Sequence, residues 1–147
     1  MQKQPDRQQG QSVVEVALVL PILLILFFGI AEVGFFLFAQ VQVANATREG
    51  ARYGSLCRLN QTCPDLTDAV KSVVFGEAQF LHMSDSGSGR NTKVTVQPPS
   101  LTTAPLVGVP ITVTVVYTYS SPFISNFVPM FPATLPIRHS VVMNFDK

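Results

Sequence analysis

The sequence predicts an α+β protein: a long N-terminal transmembrane helix that continues as a stem, a second short helix and a small antiparallel sheet. Three observations predict it. An apolar run, broken only by Glu32, fills residues 16–39. A shorter segment opening at Asp65 repeats apolar residues at helical spacing. Two later segments alternate β-branched and polar residues with the period of a strand.

The run of 24 residues is about 36 Å long as a helix, enough for a hydrocarbon core of about 30 Å. Pro21 and Gly29 fall within it, and membrane helices tolerate both better than soluble helices do. Two other readings are weaker. A domain this small could hardly wrap such a helix on every face. A signal peptide cut at Ala44-Asn45-Ala46 would normally carry a shorter apolar region next to its cut. The Lys and Arg counts flanking the run are near parity (Lys3 and Arg7 before it, Arg48, Arg52 and Arg58 after it) and leave its orientation open.

Composition narrows the partners. Of 147 residues, 13% are charged, about half the usual globular share, and 47% are hydrophobic, which excludes a disordered chain. A net charge of +1 provides no field for phosphate neutralisation, so no nucleic-acid partner is expected.

The first helix is expected over residues 12–56. Glu32 lies about 25 Å above Glu15 along that helix, where it could snorkel to the far interface or meet another subunit. Asp65 and Asp68 suit the start of the second helix, whose apolar face is read as Leu66, Val70, Val73 and Leu81. Strands are expected at Thr92–Gln97, at residues 111–118 and at residues 137–145. Residues 120–136 hold four prolines and three phenylalanines and read as an apolar loop. It would pack on the stem or touch a partner or the bilayer.

Cys57 and Cys63 would be about 9 Å apart on one helix, too far for a bond. A disulfide between them needs the helix to stop, and Asn60 is a plausible stop. Free thiols are the alternative. The bond would place this part in an oxidising, extracytoplasmic compartment. Neither His82 nor His139 has metal-ligand spacing.

Two stretches carry a family resemblance. The order Gly10-Gln11-Ser12-Val13-Val14-Glu15, followed at once by the apolar run, resembles the processing site of type IV pilin-like proteins. Asn45-Ala46-Thr47-Arg48-Glu49-Gly50-Ala51-Arg52-Tyr53-Gly54 resembles a segment of TadE-like proteins, pseudopilins of tight-adherence (Flp-type) pilus systems. The resemblance covers about residues 10–55. It implies a pilin-like fold and a cut after Gly10 by a prepilin peptidase on the cytoplasmic side. Gln11 would become the N-terminus, and Glu15 would guide assembly. A buried Glu15 carboxylate could pair with the new ammonium of a neighbouring subunit, each offsetting the other's desolvation.

The implied division is a leader (residues 1–10), a transmembrane and stem helix (residues 11–56) and an extracytoplasmic domain (residues 57–147). The implied location is a single-pass inner-membrane protein with a cytoplasmic N-terminus, able to enter a pilus. Implied partners are other pseudopilins, the major Flp pilin, the prepilin peptidase, the inner-membrane assembly platform and membrane lipid.

Arg48, Glu49 and Arg52 read either as a solvated helix face or as a charged seam to a neighbour. The Gly50-x3-Gly54 spacing suits close packing against this chain or another. Gly87-Ser88-Gly89 lacks the lysine and helix of a phosphate loop, and neither H-E-x-x-H nor G-x-S-x-G occurs. No enzyme, cofactor, metal or small-molecule substrate is expected. The leading expectation is a structural subunit in assembly of a tight-adherence pilus or secretion machine. The alternative is a single-span anchor presenting an extracytoplasmic binding domain.

Overall fold

A computed structural model describes residues 7–60, 65–83, 91–97, 110–121 and 133–144. The fold is α+β. Helix α1, Arg7–Asn60, is a continuous rod of 54 residues and carries Pro21 inside it. Helix α2 is Leu66–Glu77, and a short 3-10 turn, Gln79–Leu81, follows. Strands β1 (Thr92–Gln97), β2 (Ile111–Ser120) and β3 (Thr134–Met143) form an antiparallel sheet in the order β1-β2-β3.

Helix α1 is longer than expected at both ends, starting at Arg7 rather than at residue 12 and ending at Asn60 rather than at residue 56. Residues 11–27 are exposed along its whole circumference. It is long and apolar enough to cross a membrane. The upper part differs: Ala39, Val43, Ala46, Thr47 and Ala51 are fully buried on one stripe. Spacings of three and four keep that stripe on one face of the rod. Thr47 satisfies its hydroxyl by donating to the Val43 carbonyl one turn back, at 2.6 Å.

Asp65 caps α2, its carboxylate accepting from the Thr67 and Asp68 amides at 3.1 and 3.2 Å. The helix buries Leu66, Val70 and Val74. Val74 takes the inward place expected of Val73, because the stripe advances by four residues each time. β1 occupies its expected span, and β2 extends beyond residue 118 to Ser120. Strand β3 begins and ends earlier than expected and includes Pro136, which pairs with Thr118. A proline is tolerated there because β3 is an edge strand.

Alternation sets the two faces of the sheet. Thr92, Val94 and Val96 of β1 and Ile111, Val113, Val115, Tyr117 and Tyr119 of β2 point inward. Both helices cover this face, α1 against β2 and β3 and α2 toward β1. One core therefore joins stem and head. Ala46 belongs to it, so a cut after that residue would tear the core apart.

Candidate functional site: the stem and its junction with the head

Gly10 and Gln11, the residues of the implied cut, lie in the opening turns of α1. The first helical turn lacks intrahelical acceptors for its amides, and no acidic residue stands in it to offset this. Gly10 weakens it further by about 1 kcal/mol relative to alanine. The bond between Gly10 and Gln11 thus follows directly on this weakly held first turn.

Glu15 is exposed, on the same surface as Val16, Val19, Leu20 and Leu23. A carboxylate surrounded by apolar side chains on a membrane helix is costly without a partner, by about 2.5–3.5 kcal/mol at full depth. Among the described residues, only neighbours on α1 itself line this surface.

Glu32 is only 7% exposed and faces this chain's own head, a contact that neither expectation included. Tyr119, at the far end of β2, donates its hydroxyl to Glu32 Oε1 at 3.0 Å. The Tyr119 ring also packs edge-on against Phe36, one turn above, with centroids 5.6 Å apart. Burial, reinforced by the hydrogen bond to Glu32 and its charge, pushes the Tyr119 phenol up to about 12. Sequence reasoning missed Tyr119. The signal was present: a glutamate inside an apolar run needs a donor, and the inward alternation of β2 continues from Tyr117 to Tyr119.

Gly50 and Gly54 lie against this chain's own head. A methyl group on Gly50 would fall 2.6 Å from Val74 Cγ2, and one on Gly54 would fall 2.7 Å from Ile111 Cδ1. The two glycines let α2 and β2 approach the rod closely. Arg48 and Arg52 are exposed, and Arg52 contacts Glu49 at 3.7 Å on the helix surface. Such an exposed pair contributes a few tenths of a kcal/mol at most. The expected Cys57–Cys63 bond lies outside the described residues, as does the Pro/Phe-rich segment at residues 122–132.

A single apolar rod that enters a small α+β head, with its lower half bare, is compatible with a single-pass membrane protein. Residues 10–52 match the model of the TadE-like protein family. The match spans the bare stem, Glu15, Glu32 and Gly50, and leaves α2 and the sheet outside it. No curated protein and no solved structure matches the chain.

Proposed function

We propose that this protein is a pseudopilin-like structural subunit, held in the membrane by α1, cut after Gly10 and assembled with other subunits of a tight-adherence pilus. The observation that carries the reading is the position of Glu15 within the TadE-like match: a carboxylate on the bare apolar half of the rod, five residues after Gly10. Cleavage would leave an ammonium at Gln11, close enough in sequence to act on the same stretch of a neighbouring stem. Pairing that amine with Glu15 of another copy would set the stagger between rods. The head would remain on the extracytoplasmic side, and the peptidase would act on the cytoplasmic side.

Partners under this reading are other pseudopilins, the major Flp pilin, the prepilin peptidase and the inner-membrane platform. The action is mechanical and needs no catalytic group. The test is Glu15→Ala expressed from the native locus. The variant is expected to reach the membrane and be processed like the parent, while pilus yield and co-purification with sibling subunits fall. Normal assembly by this variant would contradict the role of Glu15.

A further inference from the structure

The level at which stem meets head has a feature that assembly through Glu15 does not use. An open groove of about 920 Å³ separates them there. Gly34, Phe35 and Phe38 form its stem wall, and Phe80, Tyr117 and Tyr119 form its head wall. Phe80 is 79% exposed, and nothing among the described residues covers it.

We propose that this groove seats the head on the bilayer, its occupant being the interfacial layer of the membrane on the head side. The inference rests on reading α1 as a single membrane span. Three observations favour lipid over a protein occupant. The stem wall is the upper end of the same apolar run that forms the span, so the groove continues a lipid-facing surface. A hydrocarbon core of about 30 Å takes about 20 residues of helix. Counted upward from Val13 or from Val16, it ends near residue 33 or residue 36, which is the level of Gly34 and Phe35. The exposed part of the lining is the rings of Phe35, Phe38 and Phe80, apolar aromatic surface of the kind that enters the acyl–headgroup boundary, while Tyr117 and Tyr119 are buried behind it with their hydroxyls bonded to Leu81 and Glu32.

Chain continuity fixes the position. Helix α1 passes from span to head without a break, and the head is bonded to it as low as Glu32. The head therefore has no linker on which to rise from the surface. Glu32 lies at or just below the hydrocarbon boundary on the same count, and Tyr119 supplies there the hydrogen bond that water cannot. Phe80, on the 3-10 turn facing the stem at this height, enters the acyl–headgroup boundary.

The chain contains no tryptophan, so single replacements report depth directly. The full chain carrying Phe80→Trp is reconstituted in phosphatidylethanolamine–phosphatidylglycerol vesicles. These are doped with phosphatidylcholine brominated near the headgroup end or near the middle of its chains. Leu23→Trp, within the bare span, and Val142→Trp, on the outer face of β3, serve as references. Phe80 and Val142 are both exposed, so neither replacement disturbs the core. The expected result is loss of Phe80→Trp fluorescence with shallow bromines, loss of Leu23→Trp fluorescence with deep bromines, and no loss at Val142→Trp. Quenching of Leu23→Trp without quenching of Phe80→Trp would overturn the seat while keeping the span. Phe80→Trp emission that shifts to the blue with protein-to-lipid ratio, unquenched by bromine, would assign the groove to a second chain and also overturn it. Absence of quenching at all three positions would overturn the span reading and the seat with it.

Discussion

Tyr119 and Glu32 are 87 positions apart in sequence and are joined by a 3.0 Å hydrogen bond. The bond ties the end of β2 to the stem at the foot of the head. It also explains how a carboxylate persists inside an apolar run: the fold brings a phenol to it, with the Phe36 ring beside the pair. Tyr119→Phe keeps the ring contact and removes the donor. We expect it to lower unfolding stability by about 1–3 kcal/mol, the cost of removing one partner of a buried hydrogen bond. Denaturant unfolding in detergent, followed by the signal of the sheet, measures this. A change within error of zero would mean that the bond contributes nothing net.

The same bond predicts an alkaline limit. Burial and Glu32 raise the Tyr119 phenol to about 12, above the value of about 10 expected in an unfolded chain. A group raised in the folded state contributes its full stability below the unfolded value and loses it as pH climbs through the folded one. Stability is therefore expected to be insensitive to this group below about pH 10 and to fall between about pH 10 and pH 12. Phenolate absorbance compared between the parent and Tyr119→Phe isolates the group. A difference curve centred near pH 10 would contradict the burial argument.

Gly50 and Gly54 should respond unequally to alanine. At Gly50 the new methyl meets Val74 Cγ2, a β-branched side chain with little freedom on a helix. Overpacking of this kind costs about 1–3 kcal/mol, and helix propensity returns about 1 kcal/mol. Gly50→Ala is thus expected to be net destabilising by about 1 kcal/mol. At Gly54 the nearest atom, at 2.7 Å, is the far end of the Ile111 side chain, and the stiff contact is Val70 Cγ2 at 3.1 Å rather than the 2.6 Å found at Gly50, so Gly54→Ala is expected to be the milder change. Paired thermal melts in the same detergent decide the order; a larger loss at Gly54 would contradict it.

Much of this fold is legible in the residues because local rules and tertiary packing agree. Thr92–Gln97 alternates cleanly and forms β1 over that span. Asp65 reads as a cap and accepts two amides as one. The misses come where a neighbour decides. Pro136 reads as loop, yet β3 includes it because an edge strand tolerates a proline. Val73 and Val74 are equivalent by composition, and the four-residue step from Leu66 through Val70 selects Val74. The stem glycines were legible as packing sites, but whether they met this chain or another depended on where α2 and β2 docked. Glu32 was legible as an anomaly, while its partner lay too far along the chain for any spacing rule to find.

The proposed role requires a processed, membrane-held pilus subunit. Its most direct test is the intact mass of the membrane-extracted protein after co-expression with its cognate prepilin peptidase. Loss of residues 1–10 and a new N-terminus at Gln11 are expected. An uncut chain, with the peptidase shown to be active on its own pilin, would contradict it and leave a single-span anchor that presents its head as a binding domain.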